Sequence, residues 1–280
     1  MVRLLLRGQP IGPDDQPIRA VLFDKDGTLS ISEPMLHALA EARVFHCRRL
    51  LQERHPQLAD AAAGELVELL RRAYGLEVNG VNPAGTTAVA SREHNLISTA
   101  TVLAQLGLGW PEALALAEAV FSASDGLHGQ GSRHRPIATA GLHGLLAELA
   151  AAGLRCAVIS NDQREGIAAF LHSEGISQRF QACWSADHTP RKPDPAAVHA
   201  LCRELAVPAT ACALIGDANS DLHMAREAGV AVILGYTAAW SQHPPLDPSY
   251  LQLHHWRELK LAPWPGRTAI PSRHRPPAPS

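Results

Sequence analysis

Apolar residues along this chain follow two rhythms. Short unbroken runs, bounded by prolines, glycines or acids, predict buried strands at Ile18 to Phe23, Arg155 to Ile159, Ala211 to Ile215 and Val230 to Leu234. Ala182 to Ser185 is a further, less apolar strand candidate, and Val2 to Ile11 with the turn Gly12-Pro13-Asp14-Asp15 predicts an edge hairpin. Ala, Leu and Glu at helical spacing predict helices over Met35 to Leu51, Ala61 to Tyr74, Glu93 to Leu106 and Pro111 to Phe121, with no strand between them. Pro111 suits the first turn of its helix. Further helices are predicted over Ala140 to Ala152, Gln163 to Ser173 (ending near Gly175), Asp194 to Leu205 and Asp221 to Ala228, the last closed by Gly229.

From about residue 135 onward strand and helix alternate, which predicts an α/β fold with a mostly parallel sheet and helices on both faces. The first strand is separated from the rest by an all-helical stretch. Placed at 32–134, this insert is long enough for a small domain of its own, and the α/β core comprises 1–31 and 135–261. The end, 262–280, is rich in Pro and Arg and predicts a disordered tail.

Composition narrows the function classes. A chain of 280 residues with 46% hydrophobic and 19% charged residues buries a sizeable core. The net charge of −2 argues against a broad nucleic-acid footprint. No apolar run reaches membrane-spanning length, because Arg155 interrupts the best one, Leu145 to Ile159. Met1 to Arg7 is too short for the apolar region of a signal peptide, so a cytoplasmic protein is expected. Five cysteines without Cys-x-x-Cys spacing predict reduced thiols, and the 15 scattered histidines form no His-Glu-x-x-His zinc pattern.

Two acidic runs each follow a predicted strand: Asp24-Lys25-Asp26-Gly27-Thr28-Leu29, and Gly216-Asp217-Ala218-Asn219-Ser220-Asp221. Acids at the carboxyl ends of strands in an α/β sheet face the ligand crevice. Converging there they repel one another and resist desolvation, which calls for a hard, oxygen-ligated cation such as Mg²⁺. Asp24 and Asp26, two apart, are expected on one side, and Lys25 is expected to turn away from both. Ser160-Asn161 follows another strand, where a hydroxyl and a backbone N–H suit an oxyanion or a helix cap. Lys192 lies between Arg191 and Pro193, where its ammonium suits a phosphoryl group. Within the insert, Ser91-Arg92-Glu93-His94-Asn95 is a polar run in which Arg92 can fork onto a carboxylate or phosphate, although Ser91 also suits a helix N-cap.

These motifs, in this order, resemble those of the haloacid dehalogenase superfamily: Asp24 and Asp26, then Ser160, then Lys192, then Asp217 with Asp221. The helical insert after the first motif is similar to the cap of phosphoglycolate phosphatase-like members, and the short interval from Ser160 to Lys192 leaves no room for the other cap type. The resemblance implies a Mg²⁺-dependent phosphatase acting on a small phosphorylated metabolite, with Asp24 as nucleophile and Asp26 as acid and base. It implies metal ligation by Asp24, Asp217 and the carbonyl of Asp26, with Asp221 orienting metal-bound water or Lys192. Phosphate contacts are implied for Thr28, Ser160, Asn161 and Lys192. Cap specificity is expected from Arg92 and Asn95. An acid at position 26 separates the chain from transport ATPases and true dehalogenases. A sugar phosphomutase and a catalytically silent binder are the alternatives on the same fold.

Overall fold

The computed structural model describes residues 1–78, 80–125 and 135–264. Strands β1 (Val2–Leu6) and β2 (Gln9–Ile11) form the expected hairpin, followed by β3 (Ala20–Phe23) and the two-residue β4 (Ser30–Ile31). Five helices come next: α1 (Glu33–Arg54), α2 (Pro56–Tyr74), the single turn α3 (Thr86–Val89), α4 (Arg92–Gln105) and α5 (Trp110–Asp125). The chain re-enters through β5 (Ile137–Ala138) and then alternates: α6 (Leu142–Ala151), β6 (Arg155–Ile159), α7 (Arg164–Ser173), β7 (Ala182–Trp184) and α8 (Pro195–Glu204). It closes with β8 (Cys212–Gly216), α9 (Asn219–Glu227), β9 (Val232–Tyr236), β10 (Leu251–Leu253) and β11 (Leu259–Pro263).

Six strands form a parallel sheet in the order β10-β9-β8-β3-β6-β7. All four residues of β3 are buried, as the central strand of a sheet covered on both faces requires. Alternate side chains feed two apolar clusters. Val21, Phe23, Val158 and Ile215 face α6 and α7, whereas Ala20, Leu22, Ala157 and Leu214 face α8 and α9. A third cluster, including Leu51, Leu70, Leu103 and Phe121, lies within the helical unit and takes in Trp240 from the core. Local chemistry sets the helix ends. Pro34 and Pro195 occupy first-turn positions, Gly75 closes α2 at φ +70°, and Ser91 Oγ accepts from the backbone of His94 at 3.3 Å.

Several expectations are corrected. The insert is tied off by a miniature antiparallel sheet, Ser30 opposite Ala138 and Ile31 opposite Ile137, too short to show periodicity. An isolated bridge, Leu76 to Val81, interrupts the helical stretch, and β9 begins at Val232 because α9 is followed by a turn at Gly229. β11 pairs with β1 out to Pro263, so Ala262 and Pro263 belong to a strand and not to the tail. Of the predicted insert and tail, 79, 126–134 and 265–280 lie outside the described residues. No helix among the described residues is long and apolar enough to cross a membrane.

Candidate active site

Strand register assembles the site. Phe23 pairs with Val158 on one side and Ile215 on the other, and the Asp24 N–H donates to the Ile215 carbonyl at 2.9 Å. The chain therefore leaves all three strands at one level, and Asp24, Ser160 and Asp217 emerge at the same edge of the sheet. Gly27 turns the first loop back at φ +80°. A Cβ there would collide with the Asp217 carboxylate and the Trp240 indole, so the position requires glycine.

Asp24, Asp217 and Asp221 are buried, and one carboxylate oxygen from each lies within 4.8 Å of the others. Lys192, also buried, donates to Asp24 Oδ1 at 2.6 Å, pairs with Asp221 Oδ1 at 2.7 Å and reaches the Ile159 carbonyl at 3.3 Å. Burial alone would lower the Lys192 pKa, but Asp221 and Asp24 outweigh it and raise it. Burial lifts Asp24 to about 7, with Lys192 opposing and Asp221 and Asp26 adding to the rise. Burial also raises Asp217 well above the usual carboxylate range, and Asp24 and Asp221 reinforce it. Three buried carboxylates balanced by one ammonium hold excess negative charge, and an all-oxygen donor set of this kind fits a small hard cation such as Mg²⁺. Asp221 belongs to this triad as well as to Lys192, a closer role than the sequence implied.

Asp217 is held on both oxygens. Thr28 Oγ1 donates to Oδ1 at 3.0 Å, and the Trp240 indole N–H donates to Oδ2 at 2.7 Å. Thr28, expected at the phosphate, is instead fully buried with its hydroxyl spent on Asp217. Ser160 lines the cavity, and its Oγ accepts from the Asp162 N–H at 3.1 Å. Asn161 also lines the cavity, but its amide donates to the Val89 carbonyl at 3.0 Å and so reaches across to α3.

Lys25 does not turn away from Asp26. Its fully buried ammonium lies 2.7 Å from Asp26 Oδ1, 2.9 Å from Asp162 Oδ2 and 5.9 Å from the Phe170 ring centroid. Burial opposes its charge, yet Asp26 and Asp162 hold its pKa above the usual lysine value. Ser32 donates to the same Asp26 oxygen, and Ser30 lies at 3.4 Å from it. Strand alternation misleads here because residue 25 already lies beyond β3, in a turn where Thr28 and Ser30 donate to the Lys25 carbonyl.

Above these groups lies a cavity of about 730 Å³, walled by the core below and by α1, α3 and α4 above. Arg92 lines it, with its fork already on Asp125: Nε at 2.7 Å and Nη2 at 2.6 Å. Asn95 lines it too, with its amide nitrogen donating to the carbonyls of Thr86 and Ser91 at 2.9 and 3.0 Å. Arg43, Thr87, Asp125, Asp162 and Trp240 were not singled out from the sequence. Arg43 alone left a signal, a charge inside the otherwise apolar stripe of Ala40, Val44, Cys47 and Leu51.

A family model described as haloacid dehalogenase-like hydrolase matches residues 18–229. The chain is 31% identical over 222 residues to the phosphoglycolate phosphatase of Rhodospirillum rubrum, covering 77% of this chain and 78% of that protein. It is 25% identical over 253 residues to the N-acetylmuramic acid 6-phosphate phosphatase of Pseudomonas aeruginosa, covering 86% and 93%. A solved structure described as a predicted phosphoglycolate phosphatase of Haemophilus somnus 129PT shares the fold, with a TM-score of 0.57 at 16% identity over 85% of this chain and 95% of that one. The chain belongs to the haloacid dehalogenase-like hydrolase family, in its phosphoglycolate phosphatase-like branch.

Proposed function

We propose that this protein is a Mg²⁺-dependent phosphatase that hydrolyses the phosphate monoester of a small metabolite through an aspartyl-phosphate. The observation that carries the reading is Asp24: a buried carboxylate on the cavity floor, held by Lys192 on Oδ1, with no side-chain donor on Oδ2 among the described residues. The free oxygen is suited to attack phosphorus in line as the bond to the leaving oxygen breaks. Asp26 gives that oxygen a proton, then takes one from the water that attacks phosphorus, releasing inorganic phosphate and restoring Asp24. Lys25, Ser30 and Ser32 all gather on Asp26 Oδ1, which leaves Oδ2 to carry the proton. Lys192 and Ser160 both line the cavity, and their ammonium and hydroxyl would hold phosphoryl oxygens. Asp24 and Asp217, with Asp221 and the Asp26 carbonyl, would hold the ion, whose chemistry when bound is to neutralise charge on the transferring phosphoryl group.

The helical unit, 32–134 in the division expected from the sequence, serves as the cap that excludes water and contacts the leaving group. Five free cysteines, four of them buried, suit the reducing cytoplasm in which we place the protein. The test is phosphate release from small monoesters, with Mg²⁺ and with chelator. Release is expected to need the metal and to vanish in Asp24→Asn; undiminished release from that variant would remove Asp24 as nucleophile.

A further inference from the structure

The cavity's upper wall carries polar atoms that the protein itself does not satisfy. Among the described residues, buried side-chain atoms without a hydrogen-bond partner include Arg43 Nε, Thr87 Oγ1 and Asn95 Oδ1. They come from three elements, α1, α3 and α4, yet all three residues line this one cavity. Unpaired buried polar groups are disfavoured in folded proteins, and three gathered on one wall point to a ligand that pairs them.

Their chemistry defines that ligand. The Asn95 amide nitrogen is fixed by backbone carbonyls, which only accept, so Oδ1 is the atom left over and it asks for a donor. The Thr87 hydroxyl donates or accepts. Arg43 only donates. Its guanidinium stacks 4.0 Å over Phe121, with Asp125 no nearer than 3.9 Å. Asp125 is already engaged by the Arg92 fork, so two guanidiniums share one carboxylate and the wall keeps a net positive charge. Burial lowers the Arg43 pKa to about 10, which still leaves it cationic at neutral pH. Met35, Leu36 and Leu39 supply apolar contact beside it. At about 730 Å³ the cavity falls within the roughly 300–1,000 Å³ of sites for drug-sized ligands, well beyond the needs of a two-carbon acid.

Resting on the phosphatase reading above, we propose that this wall is a leaving-group subsite for the phosphate monoester of a polyhydroxylated carboxylic acid, of sugar-acid size. Arg43 takes the carboxylate, Asn95 Oδ1 accepts from a hydroxyl or amide N–H, and the Thr87 hydroxyl joins a neighbouring oxygen.

The test compares 6-phosphogluconate with glucitol 6-phosphate, which differ only in a carboxylate against a CH₂OH, beside p-nitrophenyl phosphate and glucose 1,6-bisphosphate. kcat/KM for the acid is expected to exceed that for the alcohol by at least about tenfold, and Arg43→Gln to bring the two within about threefold of each other. Equal rates in the wild type would overturn the subsite and leave the phosphatase standing. Preference for the bisphosphate would overturn the carboxylate assignment in favour of a second phosphoryl group. No hydrolysis of any ester, p-nitrophenyl phosphate included, would remove the phosphatase reading and the subsite with it. Thr87→Val guards against a folding artefact, because losing an unpaired buried hydroxyl should raise Tm while lowering kcat/KM for the acid. A lower Tm in that variant would mark Thr87 as structural and overturn its place in the subsite.

Discussion

At the residue scale, Lys25 organises the Asp26 side of the site, while Lys192 holds Asp24. It bridges Asp26 and Asp162 from a fully buried position, and Asp162 in turn packs against Gly166, where a Cβ would collide with its carboxylate. Burial raises the Asp162 pKa and Lys25 opposes that rise, so the ammonium keeps both carboxylates tolerable at close range. Lys25→Met preserves the length of the side chain and removes the charge. It is expected to lower kcat with little change in KM, and to cost about 3 kcal/mol by stranding two acids, read as a lower midpoint in urea. A variant with wild-type kcat would show that Lys25 only fills space. The main carboxylates and Lys192 were legible in the sequence because each follows an apolar run or flanks a proline in a recognisable order. Lys25 was not, because its direction depends on the turn at Gly27 and not on strand alternation.

At the scale of elements, the segment after β9 ties the buried carboxylate cluster to the helical unit. The Trp240 ring belongs to the apolar cluster of the helical unit, while its indole N–H holds Asp217 Oδ2. The next residue, Ser241, donates its N–H and hydroxyl to Glu33 at 2.7 and 2.8 Å, at the start of α1. Glu33 also accepts from the Val81 N–H at 3.1 Å. Trp240→Phe keeps an aromatic ring and loses the donor. The Mg²⁺ concentration for half-maximal activity is expected to rise about tenfold, as loss of a hydrogen bond to a metal ligand commonly produces. An unchanged metal requirement would mean that Thr28 alone suffices to orient Asp217. Strands and helices with sustained periodicity were legible within a few residues, β6 and α8 among them. β4, β5, β10 and the turn α3 were not, since two to four residues carry no period and gain their order from neighbours.

For the whole molecule, a parallel sheet fixes the chemistry and a helical unit faces it across one cavity. Among the described residues, polar contacts between the two include Asn161 to Val89, Arg191 to Glu93, Gln242 to Glu77 and Glu33 to Ser241, besides the apolar anchor of Trp240. As the proposed cap, the helical unit has to admit an ester and release its alcohol. In the proposed mechanism phosphate passes through Asp24, and Asp26 governs its departure. The direct measurement uses Asp26→Asn with p-nitrophenyl phosphate, whose leaving group needs no acid, followed by an acid quench and peptide mass analysis. The first step should proceed while water activation slows, with turnover down about 10²–10⁴-fold. A phosphoryl group should then accumulate on the peptide containing Asp24. Turnover without any trapped phosphoenzyme, or a phosphoryl group on another residue, would contradict the account.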